Sequence, residues 1–216
     1  AARDYHEQAL AIRLTIGDRW GEANSLVNLG LIYHGLGEDQ TARQHCERAL
    51  AIQQEIGDRR GAGYSLTYLG HALAGLGDLG AAAKAYDDAL RLRRELGQNA
   101  LAVDDLAGLA RVAMAQGQRG RALELANEIL GWLEVNGSGG IDDPLQAHLT
   151  CYRVLLAASD GETPAMERAR ALLSTKAAGA RQESVHEPLE PNGDLLDGPP
   201  ERASRSIDQP ARDERL

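Results

Sequence analysis

The chain has 216 residues, 43% of them apolar, so it can bury the core of one domain or of a short row of repeats. Its 23 basic and 32 acidic residues give a net charge of −9, which argues against nucleic-acid binding because phosphate contacts need a basic face. Two cysteines cannot build a disulfide framework, and the sequence holds neither a run of about 18 apolar residues nor a signal peptide. We therefore expect a cytoplasmic protein that contacts neither nucleic acid nor a membrane.

Apolar residues spaced three or four apart predict helices along the first 136 residues. In one such helix Leu26 and Leu29 share a face, Gly37 marks the turn that follows, and Gly57-Asp58 combines a helix stop with a cap for the next helix. The predicted helices span, in chain order, 3–16, 18–36, 40–56, 58–76, 80–96, 100–116 and 120–135. Neither strand alternation nor hairpin turn signals occur, so we expect an all-α fold.

The predicted helix pairs repeat at an interval of 40 residues. Residues 17–56 aligned on 57–96 share 15 identities without a gap. Within the repeat, Gly30 returns as Gly70 and then as Ala110. Glycine inside a helix costs about 1 kcal/mol relative to alanine, so we interpret these small residues as points of close approach between paired helices.

The predicted helix 3–16 stands in the register of the second helix of a repeat, and no first helix precedes it in the sequence. Its apolar stripe therefore lacks one neighbour, and this stripe consists of Tyr5, Ala9, Ile12 and Ile16. We expect this end of the chain to fray or to self-associate, because exposed apolar stripes are adhesive.

After the glycine-rich stretch 136–140 the repeat period fades. Asp143-Pro144 and Thr163-Pro164 are helix-start signals, and an apolar stripe follows each of them. We therefore divide the chain into a repeat array at 1–136, comprising a half repeat and three full repeats, and an atypical helix pair at 137–177. The remaining segment, 178–216, carries five of the seven prolines among charged residues, which predicts disorder.

The repeat resembles the tetratricopeptide repeat. The residues that carry this resemblance are Leu29, Gly30, Tyr33, Gly37, Ala42 and Ala49, and then Leu69, Gly70, Leu73, Gly77, Ala82 and Ala89. The usual repeat has about 34 residues, and a 40-residue repeat is similar to the long variant of kinesin light chains and of bacterial signalling ATPases and transcription regulators. The resemblance implies a right-handed superhelical solenoid of antiparallel helix pairs, with a concave groove lined by the first helix of each repeat.

In that family, residues two and five positions before and after the leucine of the Leu-Gly pair point into the groove. By that resemblance, and with two neighbours included, the partner-binding residues are Asn24, Val27, Asn28, Leu31, His34, Tyr64, Thr67, Tyr68, His71, Asp104, Arg111 and Met114. Such a surface suits a peptide or helix of a partner protein. The alternative is that these positions are solvated and under no functional demand. The clamp that some family members use for C-terminal carboxylates is not expected, because it needs lysine and asparagine where only Arg111 offers a charge.

The sequence predicts no enzyme, no cofactor and no metal site. A formal G-x-G-x-x-G at Gly75, Gly77 and Gly80 bridges two predicted helices, whereas a dinucleotide site needs this motif after a strand. The six histidines show no metal-ligand spacing with the cysteines. We interpret the acidic pair Asp104-Asp105 as a solvated helix face rather than as paired catalytic carboxylates.

Two function classes fit these features. The first is a non-enzymatic protein–protein interaction scaffold that belongs to a larger bacterial signalling or regulatory protein. The second is the inducer-sensing domain of a transcription regulator, in which a peptide or small molecule binds the groove and changes the superhelix. A neighbouring ATPase or DNA-binding domain would favour the sensor, and a free-standing array would favour the scaffold.

Overall fold

The computed structural model describes residues 2–158 and the single residue Glu167. Within 2–158 the chain forms eight helices and no strand: α1 Ala2–Ile16, α2 Arg19–Gly35, α3 Asp39–Ile56, α4 Arg59–Gly75, α5 Leu79–Glu95, α6 Asn99–Ala115, α7 Arg119–Asn136 and α8 Pro144–Ala158. The first seven agree with the predicted helices to within one residue at each end, so the all-α prediction is confirmed. The predicted helix that begins at Pro164 and the predicted disordered segment 178–216 lie outside the described residues, and the division of the chain at 136 stays a prediction.

The helices pack consecutively along the chain, each against the one before and the one after. The first helices of the repeats, which are α2, α4 and α6, also contact one another in succession, and α6 contacts α8. Contacts between first helices are more extensive than those between second helices, so the row curves with the first helices on its inner, concave side. This is the solenoid of helix pairs that the repeat predicts.

Short glycine turns set the spacing of the helices. A glycine in the left-handed region follows each of the first seven helices, at residues 17, 37, 57, 77, 97, 117 and 137, which is a period of 20. An L-residue with a side chain is disfavoured in this conformation, so glycine ends each helix at a fixed place. Asp18 and Asp58 then start the next helix, since each Oδ1 accepts a hydrogen bond at 2.9 Å from the backbone N–H three residues on.

The close helix approach predicted at Gly30 and Gly70 is confirmed. A Cβ added at Gly70 would lie 2.6 Å from Cε1 of Tyr86, and one at Gly30 would lie 2.5 Å from Sγ of Cys46. Gly108, which the sequence reasoning did not single out, meets the same tyrosine ring at 2.5 Å. The ring of Tyr86, on α5, is therefore held between glycines of α4 and α6, and its side chain is fully buried.

A polar link recurs at three successive junctions between a second helix and the following first helix. The linked pairs stand at 40-residue intervals and are Arg13–Ser25, Gln53–Ser65 and Arg93–Asp105. The first two are hydrogen bonds of 2.8 and 2.6 Å, and the third is an ion pair in which Nε of Arg93 lies 3.0 Å from Oδ2 of Asp105. Both partners of the polar link are charged only at the third junction, between Arg93 and Asp105.

The apolar stripe predicted on the first helix faces outward. Tyr5, Ile12 and Ile16 are exposed, Ala9 is half-buried, and α1 packs on the core through Leu10. Self-association through this face stays a prediction. None of the helices in the described part of the chain is long and apolar enough to cross a membrane.

Candidate functional site

The concave side of the solenoid contains a pocket of about 350 Å³. Six of the predicted groove residues line it, namely Leu31, Thr67, Tyr68, His71, Asp104 and Arg111. The opposite wall is formed by Asp142, Asp143 and Gln146, from the loop before α8 and its first turn. The sequence reasoning missed this wall, because the loop lies beyond the last full repeat and does not follow the 40-residue period.

The other six predicted groove residues lie elsewhere. His34 lines a smaller neighbouring pocket, which also includes His71 and Arg111. Met114 is half-buried against the core of the third repeat. The remaining four have buried side chains: Asn24, Val27, Asn28 and Tyr64. All ten residues from 21 to 30 are buried, so this part of α2 is covered on every side and cannot offer its side chains to a partner without rearrangement.

Asp104 fixes the position of the opposite wall. Its Oδ2 and Oδ1 accept hydrogen bonds from the backbone N–H groups of Asp142 at 3.0 Å and Asp143 at 3.2 Å. The hydroxyl of Tyr68 donates to Oδ2 of Asp142 at 3.4 Å. Burial raises the pKa of Asp104 to about 6, against the lowering effect of the two N–H groups. The expectation that Asp104 and Asp105 form a solvated helix face is therefore wrong, since both are buried.

The raised pKa of the Asp104 carboxyl should make the free energy of unfolding depend on pH. Because its pKa in the folded chain is raised from 3.8 to about 6, the folded state keeps a proton that the unfolded state loses between these values. The free energy of unfolding should therefore fall as the pH rises from about 4 to about 6, with a contribution from this group of up to about 3 kcal/mol.

Urea unfolding at pH 4 and pH 7 measures this contribution. In Asp104→Asn, the fall in unfolding free energy between the two pH values should be smaller than in the wild type by about 2–3 kcal/mol. The control is Asp87→Asn, which changes an exposed carboxyl and should leave the fall unaltered. An equal fall in the wild type and in Asp104→Asn would contradict the assignment.

A buried polar network lies behind the pocket and explains why Thr67 and Tyr64 are held inside. The hydroxyl of Thr67 accepts a hydrogen bond from Arg93 Nη2 at 3.0 Å and lies 2.7 Å from Oδ1 of Asp105. The guanidinium carbon of Arg93 lies 4.8 Å from the centre of the Tyr64 ring. Arg93 and Asp105 were not predicted to interact, although their positions match the earlier polar pairs at 40-residue intervals.

His71 is held neutral at the floor of the pocket. Its Nδ1 lies 2.7 Å from the hydroxyl of Tyr86 and 3.4 Å from Nη2 of Arg111. Burial lowers the pKa of His71 to about 3, and the charge of Arg111 adds to this effect. Since Arg111 can only donate, Nδ1 acts as the acceptor and the proton of the ring resides on Nε2. The ring of His34 stacks on that of His71, with their centres 5.6 Å apart.

Cysteines and metal-ligating side chains are the other residue types to consider in the described chain. Burial raises the pKa of Cys46 and of Cys151 to about 12, so both thiols stay protonated near neutral pH. In the described residues, His, Cys, Asp and Glu side chains nowhere form a group of three that could hold a metal ion. The G-x-G-x-x-G stretch lies at the turn between α4 and α5, as predicted. The pocket itself presents charged and hydrogen-bonding groups beside apolar side chains.

Comparison with known proteins indicates which family of folds this chain resembles. A tetratricopeptide repeat family model matches residues 1–55 and 21–95. No curated protein is significantly similar in sequence to this chain.

Among solved structures, BtubC (BKLC) from P. vanneervenii is 19% identical and superposes with a TM-score of 0.59, over 84% of this chain and 72% of that one. A second solved structure is that of a protein from Podosopora anserina assigned as a kinesin light chain, whose TPR-like repeats are nearly identical to one another. It is 19% identical to this chain and superposes with a TM-score of 0.60, over 81% of this chain and 86% of that one. At such identity the likeness shows the fold alone. The match over residues 1–95 and the 40-residue helix pairs confirm the predicted resemblance to the tetratricopeptide repeat, and the solved structures show that the chain has this fold.

Proposed function

We propose that this chain is a non-enzymatic interaction module that binds a peptide or helix of a partner protein in its concave groove. The observation that supports this most is the pocket of about 350 Å³, which gathers side chains from α2, α4, α6 and the start of α8 on the inner face. It combines apolar side chains such as Leu31 with the aromatic ring of Tyr68 and the charged group of Arg111. An apolar pocket with a few directed polar groups is typical of a binding site.

The predicted groove residues divide into two roles in this proposal. Of those that line the two pockets, the half-buried Leu31, His34, His71 and Arg111 contact the partner directly, and the buried Thr67, Tyr68 and Asp104 shape the wall behind them. The remaining predicted residues, which are Asn24, Val27, Asn28, Tyr64 and Met114, support the wall and keep the spacing of the first helices. A role in a larger, cytoplasmic bacterial signalling or regulatory protein belongs to the same proposal and rests on the long 40-residue repeat.

The second candidate function is the sensing of an inducer. One feature favours it: the pocket is closed on one side by the loop before α8, and Asp104 of α6 holds that loop in place. A small ligand in this pocket would contact α4, α6 and α8 at once. If it bound one curvature of the solenoid more tightly than another, it would shift the equilibrium between them.

A peptide library displayed on phage and selected against the immobilised chain tests the proposed groove. Peptides selected on the wild type should bind His71→Ala/Arg111→Ala at least about 30-fold more weakly, which corresponds to the hot-spot scale of about 2 kcal/mol. Tyr64 is left unchanged because its side chain is buried and its removal would open a cavity.

The matched control is the outer-face variant Arg91→Ala/Arg94→Ala, since both side chains are exposed on the second helix α5. It should change the affinity less than about threefold. Circular dichroism should show equal helix content in both variants. Selected peptides that bind the groove variant normally and lose affinity for the arginine pair would place the interface on the outer face.

A further inference from the structure

Arg111 is an unusual arginine in this chain. Four arginines in the region 2–158 have half-buried or buried side chains. Three of them have a carbonyl or carboxylate acceptor, in the pairs Arg13–Gly21, Arg43–Glu47 and Arg93–Asp105. Arg111 has neither within the described residues, and its polar contacts are the ring nitrogen of His71 and the hydroxyl of Tyr86.

Within the described residues, Arg111 therefore has no ion-pair partner. His71 is neutral, and burial raises the pKa of Tyr86 to about 12, so its hydroxyl is neutral too. The C-terminal end of α6 supplies only a partial negative charge to this region. A half-buried guanidinium retains unused donors in a fork that matches a carboxylate, so the pocket favours an anionic group at this place.

The opposite wall carries the carboxyl group of Asp142, whose pKa is raised by burial and lowered by the charge of Arg93. The backbone N–H of Asp142 is fixed by Asp104, and its carboxylate lines the pocket, where it accepts one hydrogen bond from Tyr68. No lysine, arginine or histidine of the described chain forms an ion pair with Asp142. Asp143 differs, because its Oδ1 is occupied by the N–H of Gln146 in the first turn of α8.

Among the described residues, Arg111 and Asp142 form no ion pair with each other, although both line the same pocket. Arg111 and Asp104 are separated by seven residues of α6, or about 10 Å along the helix axis, and Asp142 is bonded to Asp104. An extended peptide advances about 3.3–3.6 Å per residue. Three extended residues therefore span about the distance between the backbone positions of Arg111 and Asp104.

We propose that this pocket binds a dipolar peptide segment, with a cationic group at Asp142 and a carboxylate at Arg111, about three extended residues apart. The inference rests on the proposed groove function and names its ligand chemistry. Nε2–H of His71 provides a polar contact for the peptide backbone, and Leu31 leaves an apolar surface for its central side chain. The two charged groups belong either to the termini of a free short peptide or to side chains within a longer protein segment.

Isothermal titration with short synthetic peptides tests the proposal. The first probe is the tripeptide Ala-Leu-Ala with free termini, compared with its N-acetylated, C-amidated and doubly blocked forms. The second is a doubly blocked pentapeptide with lysine and glutamate two positions apart, compared with its neutral Gln/Gln form. In at least one of these two series, loss of either charge should weaken binding to the wild type at least about tenfold. The series that responds identifies the source of the charges.

Variants of the chain assign each charge to its residue. Arg111→Gln should remove the preference for a carboxylate and keep the preference for an ammonium, and Asp142→Asn should do the reverse. Arg111→Lys keeps a positive charge and should retain the carboxylate preference in part. The matched controls, Arg91→Gln and Asp87→Asn, remove exposed charges of the same kind away from the pocket and should change neither preference.

Two results would overturn the inference. One is equal affinity of the charged and doubly neutral peptides in both series. The other is a carboxylate preference that persists in Arg111→Gln while the unfolding midpoint of that variant stays at the wild-type value. The proposed groove function is judged separately: library-selected peptides that need the groove but no charge would support it and still reject the dipolar ligand.

Discussion

Replacing Gly70 by leucine should lower the free energy of unfolding by at least about 3 kcal/mol, since no neighbouring group can yield to the new side chain. The first added atom would lie 2.6 Å from the ring of Tyr86, which Gly108 confines from the other side. The hydroxyl of that ring is also held by His71 at 2.7 Å. Interiors are packed like organic crystals, so α4 must move away from α5 or α6. Urea unfolding followed by far-ultraviolet circular dichroism measures the loss.

Two further variants separate the clash from a general intolerance of side chains in α4. Gly63 lies in the same helix and is also buried, but the nearest atom to an added Cβ is 3.7 Å away, so Gly63→Ala should be neutral or stabilising by up to about 1 kcal/mol. In the third repeat the positions of Gly70 and Tyr86 hold Ala110 and Ala126. Gly70→Ala should therefore be costly beside Tyr86 and nearly free in a Tyr86→Ala background. Additive costs in this double-mutant cycle would contradict the packing explanation.

The buried ion pair at the third junction carries the second large effect. Arg93→Gln should destabilise the fold by about 3–5 kcal/mol, because it leaves the carboxylate of Asp105 buried with only Thr67 as a partner. Burial raises the pKa of Asp105, and the charge of Arg93 opposes that rise. The loss of stability should therefore be smaller at low pH, where the carboxyl is protonated in both states.

The residues at the preceding junction indicate which second substitution should compensate for Arg93→Gln. Gln53 and Ser65 occupy the positions of Arg93 and Asp105 one repeat earlier, and they share a hydrogen bond of 2.6 Å. Arg93→Gln combined with Asp105→Ser should thus recover most of the stability lost in the single variant. Arg94→Gln, which breaks an exposed ion pair with Glu128, is the control and should cost less than about 1 kcal/mol. A double variant as unstable as the single one would show that the pair is not interchangeable with its neutral counterpart.

The helices and their repeat could be predicted from the sequence because their signals are local. A left-handed glycine such as Gly57 and an aspartate such as Asp58 act on backbone groups within a few residues of themselves, so their effect does not depend on the rest of the fold. The glycine that admits a neighbouring helix, as at Gly70, is also readable, since nothing within a helix itself favours glycine. The same local signals recur in each repeat, 40 residues apart, so the same pair of helices forms each time.

The candidate site depended on the tertiary structure. Its walls join Tyr68 to Asp142, 74 residues away, and the second wall lies outside the repeat that made the first one predictable. The burial of Asp104 and Asp105 likewise depends on acceptors and donors from other helices, because a charged side chain becomes stable inside only where partners arrive from elsewhere in the fold. Sequence spacing decides which residues share a helix face, whereas the curvature of the stacked helices decides which of those faces remain open to a partner.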